Sequence, residues 1–267
     1  MKKERYDAYS NYYYKIDKKK NRKTKVLSIF FIILSILIVV FFSISFSNFL
    51  VVAKIVNINT NYIYETRTLF ALSLFETDKI DDAETKAKEI KKQGGAGYIY
   101  KPEDKIFVLS SIYDNKKDAI KVKTNLDNSG ITSSIVEIEL PKIDFKINLS
   151  SKSSKILNKG IELFYSNYKN LYNLTVSFDM NEIDFIAAKN NVNDLLQDNK
   201  QTVNEYINNF NQPSNIYILY VKFYLNRLND ILNDLLKKDE TTNFSSEMKY
   251  SYCCVVNCYL NLFDEMQ

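Results

Sequence analysis

Between Leu69 and Leu140 one small unit is written twice in different residues, and this repeat limits the possible folds more than any other feature of the chain. In the first copy Phe70, Leu72 and Phe75 lead through Asp82-Ala83 to Ile90 and Gly94. In the second, Phe107, Leu109 and Ile112 lead through Asp118-Ala119 to Leu126 and Gly130. In both copies the interval from Ala to the large apolar residue is seven positions, and from there to Gly four. Each copy reads as a strand followed by a helix. The alanines are small where a helix must lie flat on a sheet, Ile90 and Leu126 fall two turns further along the same face, and each Gly can take the left-handed conformation that ends a helix.

A further strand follows each helix, Gly97 to Lys101 in the first copy and Ser134 to Leu140 in the second, giving the order βαββαβ. The link Lys101-Pro102-Glu103-Asp104-Lys105 reads as a turn, because Pro fixes φ and acidic side chains bond a turning backbone. The second and third strands are therefore expected to form a hairpin. Right-handed crossovers place both helices on one face of a four-stranded antiparallel sheet and leave the other face open to solvent. The expected fold is α+β, with a ferredoxin-like domain over residues 68–141.

The Ala, large apolar residue and Gly of each helix, followed by a short strand, resemble the SPOR domain, a bacterial module of division and sporulation proteins. The family has a Val-Gln-x-Gly-like run in its first strand, where this chain reads Phe70-Ala71-Leu72-Ser73; Ser110 holds the matching position in the other copy. The resemblance implies non-catalytic binding of peptidoglycan glycan strands stripped of their stem peptides.

Strand alternation then nominates a binding surface. With Phe70, Leu72, Phe107 and Leu109 turned to the helices, Ala71, Ser73, Val108 and Ser110 go to the open face. Tyr98 and Tyr100 share one face of their strand, and with Ile99 in the core both stand on the same open sheet. Aromatic faces stack on sugar rings while hydroxyls meet the sugar's own, so Ala71, Ser73, Tyr98, Tyr100, Val108 and Ser110 are the candidate glycan contacts. Tyrosine is also an ordinary strand residue, and the chain has 20 of them.

Ahead of the repeat, Val26 to Phe46 holds no charged residue over 21 positions, which at about 1.5 Å per residue spans the hydrocarbon core of a bilayer. Residues 26–56 are expected to be a transmembrane helix with its extension, and 57–67 a linker. Ten Lys or Arg and three Asp or Glu precede Val26, so the tail 1–25 carries +7 of a chain whose total is +4, and the remainder is −3. Dense basic residues on the N-terminal side put that tail in the cytoplasm and the later domains outside. The expected location is the cell membrane, with a single pass. A folded part that is slightly acidic argues against nucleic acid as its partner.

Composition removes most catalytic chemistry. There is no His, hence no His-based nucleophile system or His-ligated zinc. Gly94-Gly95-Ala96-Gly97 follows a helix rather than opening one, the wrong side for cradling phosphate. Asp81 or Asp82, and Asp114 or Asn115, read as helix caps rather than a carboxylate pair. The expectation is no enzyme, no metal and no cofactor.

After Pro141 the composition shifts at Ser150-Ser151 into a helical region, residues 152–265. Four stripes follow the 3.6-residue period. They are Leu157, Ile161, Phe164, Tyr168 and Leu171; Val192, Leu195, Val203, Tyr206, Ile207 and Phe210; Ile216, Leu219, Tyr220, Phe223, Ile231 and Leu235; and Met248, Tyr252, Val255, Val256, Tyr259 and Phe263. Each is read as the core face of a bundle helix, and the bundle as a possible site for a protein partner. Cys253, Cys254 and Cys258 are an odd number with poor disulfide geometry along one helix, and read as small buried residues. The partners expected are therefore glycan strands, the membrane and a protein. The rival expectation is a structural or assembly membrane protein whose two domains bind proteins and no glycan.

Overall fold

The computed structural model describes residues 36, 38–44, 58–213, 215–239 and 243–267, and the chain divides into two compact units, Met1–Asn57 and Ile58–Gln267. In the first unit Ile36 and residues 38–44 are helical. The tail 1–25 and most of the expected membrane span 26–56 lie outside the described residues. Among the described residues no helix is long and apolar enough to cross a membrane.

The second unit is α+β with a helical C-terminal region. In chain order its elements are β1 (Ile58–Tyr64), β2 (Arg67–Thr77), α1 (Ile80–Lys92), β3 (Tyr98–Tyr100), β4 (Ile106–Tyr113), α2 (Lys116–Asn128), β5 (Ser134–Leu140) and β6 (Ile143–Leu149). Four long helices follow: α3 (Ser151–Asp179), α4 (Phe185–Asn209), α5 (Ile216–Leu236) and α6 (Phe244–Glu265).

The repeat forms a four-stranded sheet in the order β3-β4-β2-β5, every neighbour antiparallel. Ala83 and Ala119 are fully buried where α1 and α2 meet it, and Gly94 and Gly130 both end their helices with positive φ, at 92° and 78°. At Gly97 the requirement is steric as well, because a Cβ there would lie 2.3 Å from the Ala87 carbonyl oxygen. Asn115 caps α2 by accepting from the Lys117 N–H at 2.8 Å, whereas α1 starts at Lys79 with no side-chain cap. Asp81 and Asp82 instead occupy the first turn of α1, where their charge suits the helix dipole.

Residues 57–67, expected to be a linker, contain a strand. β1 pairs with β6 from Ile58↔Leu149 to Tyr64↔Ile143, and the β2–β5 ladder resumes at Arg67↔Leu140 in the same register. One antiparallel ribbon thus runs through both sheets, broken only at Glu65-Thr66 opposite Pro141-Lys142, where Pro has no N–H to donate. Lys142 Nζ and Glu65 Oε1 bridge the break at 3.1 Å. The strict alternation of Ile143, Phe145 and Ile147, all buried, turns β6 onto the helices.

The helical region begins where the composition shifts: the Ser150 hydroxyl accepts from the Ser153 N–H at 3.1 Å and starts α3. The expected stripes on α3 and α6 are buried throughout. On α4 the buried leucine is Leu196 rather than Leu195. On α5 the expected stripe holds at Leu235, which is buried, and in part at Tyr220 and Ile231, which pack against the core; in its first two turns the buried residues are instead Ile218 and Val221, followed by Leu225, Leu228 and Leu232, while Ile216, Leu219 and Phe223 are exposed. Deep in the bundle Asn167 and Asn199 exchange two amide hydrogen bonds of 3.0 and 2.8 Å, which pin α3 against α4.

The sheet face expected to be open to solvent is closed. Leu69, Ala71, Leu109, Ile112, Ile138 and Leu140 belong to one continuous apolar core with Phe164, Tyr168, Tyr252, Val256 and Phe263 of the bundle. Ala83, Ala87 and Ile90 of α1 form a smaller core on the opposite face with Ile106 and Val108. The sheet is a middle layer, because both of its faces are apolar and each needs a cover.

Candidate functional site

The six residues nominated from sequence do not form a surface. Ala71 and Val108 are both at 0% exposure, and they face opposite sides of the sheet, Ala71 toward the bundle and Val108 toward α1. Two bulges explain part of the misassignment. The ladder steps from Leu72↔Ser111 to Ser73↔Leu109 and then to Phe75↔Val108, so Ser110 and Leu74 are each left unpaired by an extra residue that resets the alternation. Ser73 Oγ donates to the carbonyls of Phe75 at 2.9 Å and Val108 at 3.4 Å, and Ser110 Oγ to that of Leu72 at 3.3 Å. Both hydroxyls serve the distorted backbone. Of the six, Ser110 alone also lines the cleft described below.

Tyr98 and Tyr100 do share a face, with Ile99 turned to the α1 side as expected. That face is covered: the Tyr98 ring lies 5.6 Å from the Tyr250 ring of α6. Burial, with Cys254 and Cys253 close by, holds the Tyr98 phenol well above its ordinary range, and burial with Asp264 nearby raises that of Tyr100.

The end of α1 is fastened to α6 by polar contacts that sequence reading missed. Ser246 Oγ donates to the Gly95 carbonyl, Lys249 Nζ donates to the Gly94 carbonyl at 3.0 Å, and Glu247 meets Lys91 at 2.9 Å and Lys238 at 3.3 Å. The glycine run is thus a docking edge, where bare carbonyls meet a helix start. At one end of the two central strands, after β4 and at the start of β2, Asp114 accepts from Tyr165 at 3.0 Å and pairs with Lys169, while the Arg67 guanidinium stacks 3.5 Å above the Tyr165 ring.

Beside the first seam lies a cleft of about 490 Å³, floored by Leu72 and Leu74, flanked by Ile90 of α1 and by Val122 and Leu126 of α2, and closed by α3 and α6. Its mouth carries apolar residues left in the open: Ile131, Val176 and Met180, the last 66% exposed. The polar groups along it are hydroxyls, the Gln93 amide and one ion pair, Lys249 with Asp179 at 2.8 Å. Burial pushes the phenols of Tyr113, Tyr172 and Tyr252 upward, so all three remain protonated donors at neutral pH and cannot act as bases. Such a cleft suits an apolar group with a polar end, the usual make-up of a binding site. Among the described residues no three His, Cys, Asp or Glu are grouped to hold a metal ion.

All three cysteines are free thiols, Cys253 buried and Cys254 and Cys258 half-buried. Burial, with Cys258 nearby, pushes Cys254 up to about 12, and burial pushes Cys258 up to about 11, which leaves negligible thiolate for chemistry at neutral pH. Comparison with protein families, with curated proteins and with solved structures finds no match for this chain.

Proposed function

We propose that this chain is a non-catalytic, membrane-anchored assembly protein that binds protein partners through its folded unit, with a cytoplasmic N-terminus and the folded unit outside. In this reading the βαββαβ segment is a ferredoxin-like layer, supported by its strand order and by the two helices that flank one cleft over the sheet. The observation that carries the proposal is the covered sheet face. A glycan reader of the kind the sequence resembles would need Ala71 and the two tyrosines accessible, and here the bundle occupies that side. The membrane anchor rests on the uncharged 21-residue stretch and the basic tail before it.

The cleft is the proposed seat for a partner's apolar side chains, because its walls and rim are apolar and its hydroxyls can meet backbone groups of an incoming segment. Sedimentation with peptidoglycan sacculi, before and after an amidase strips the stem peptides, tests the proposal against the glycan reading. The expected result is no binding to either preparation. Binding that rises when the peptides are removed, and is lost in the double variant Tyr98→Ala and Tyr100→Ala, would overturn it.

A further inference from the structure

Helix α5 is apolar on two sides, and only one of them is used inside the bundle. Its outward side carries Ile216, Leu219 and Phe223 at 49%, 41% and 58% exposure, within the first two turns; from Arg227 and Asp230 onward the same side is charged. The stripe is therefore confined to one end of the bundle.

That end is also where the chain enters from its N-terminal segment. Tyr62 of β1 donates to Ser154 near the start of α3 at 2.7 Å, and its ring stacks on Phe145 at 5.0 Å. The Phe145 ring in turn meets Tyr217, in the first turn of α5, at 4.6 Å. Ile58, the first residue of the unit, lies four residues before Tyr62, about 13 Å of strand. The 21-residue stretch Val26 to Phe46 is separated from Ile58 by eleven residues whose single charge is Lys54. Fully extended, they reach no further than about 40 Å. A bilayer holding that stretch is therefore tied to Ile58 by no more than that length of chain.

We propose that the outer face of the first two turns of α5, made by Ile216, Leu219 and Phe223, rests on the lipid surface in which the chain's own N-terminal segment is anchored; this rests on the anchor proposed above. Three side chains over two turns fall well short of the roughly 800 Å² that each partner of a stable protein interface buries. Against a membrane they need little intrinsic affinity, since tethering makes the contact intramolecular. Lys222 and Arg227 bracket Phe223 with positive charge, as at an interfacial helix, while Tyr220 and Tyr224 turn to the bundle, the Tyr220 hydroxyl bonding Glu265.

The chain contains no Trp, so a single introduced one reports alone. The full chain is reconstituted in phosphatidylcholine and phosphatidylglycerol vesicles, with and without brominated acyl chains, as Phe223→Trp and, for control, as Ile186→Trp. Ile186 is 69% exposed in the first turn of α4, at the opposite end of the bundle. The expected result is blue-shifted emission from Trp at position 223 that bromine quenches, with neither effect at position 186. Unquenched, red emission from both variants in vesicles that carry the protein overturns the inference and leaves the anchor standing. Blue-shifted but unquenched emission at 223 means that protein covers the stripe, and also overturns it. A chain that fails to float with the vesicles refutes the anchor and the inference together.

Discussion

Replacing Ala71 by Gln would restore the residue type that the resembled family carries in its first strand, and the structure assigns that change a cost rather than a gain. Ala71 has no exposure, its cross-strand partners are Ile112 and Val136, and it faces the apolar core shared with the bundle. Four added heavy atoms overpack this layer, at about 1–3 kcal/mol. The amide also enters without a side-chain partner, at about 1–3 kcal/mol more. For a folded unit of this size each kcal/mol moves the midpoint by about 2–4 °C, so a central loss of about 4 kcal/mol lowers Tm by about 8–16 °C. Thermal unfolding followed by circular dichroism, with sacculus sedimentation on the same sample, reads both quantities. An Ala71→Gln protein that keeps its Tm and begins to sediment with stripped sacculi would refute the assignment of this face to the core.

Two further outcomes follow from buried polar groups. Cys254 and Cys258, ordinarily near 9.0, are held by burial at about 12 and about 11 in the folded chain. A raised folded value means the unfolded state loses its protons first, so their contribution is complete below about pH 9 and declines as pH rises toward the folded values, by about 1.4 kcal/mol per thiol for each unit. Denaturant midpoints should be flat from pH 7 to 8.5 and fall above pH 9, less steeply once both positions are Ala; a pH-independent midpoint to pH 11 would contradict the burial of these thiols. Asn167→Ala strands the fully buried Asn199 amide and should cost about 1–3 kcal/mol in urea unfolding, while the double change of Asn167 and Asn199 to Leu should recover most of it; a neutral single variant would show that the pair carries no weight.

The parts of the fold that were legible in sequence are those set by local rules. Ala83, Ala119, Gly94 and Gly130 sit where helix packing and helix ending require small or left-handed residues, and the stripes of α3 and α6 follow a single unambiguous period. The parts that were not legible depend on choices between comparable surfaces. α5 offers two apolar stripes, and periodicity alone cannot say that Ile218, Val221 and Leu225 win over Ile216, Leu219 and Phe223. In β4 the bulge at Ser110 resets an alternation that strand parity extrapolates without change. The ribbon could have been read, since Ile143, Phe145 and Ile147 alternate cleanly, but Pro141 looked like a stop when it only removes one donor from the ladder. The candidate surface is covered for a tertiary reason: the repeat supplies helices for one of the sheet's two apolar faces, and the helices that cover the other are more than 30 positions further along the chain than β4.

The most direct measurement of the central claim is differential scanning calorimetry of the second unit, residues 58–267, which has its own continuous core. If the sheet is a middle layer closed by the bundle, the two cannot melt apart, and a single transition is expected whose calorimetric and van't Hoff enthalpies agree. Two resolved transitions, with the sheet segment 68–141 unfolding independently of α3 to α6, would contradict a shared core and return the far face of the sheet to solvent.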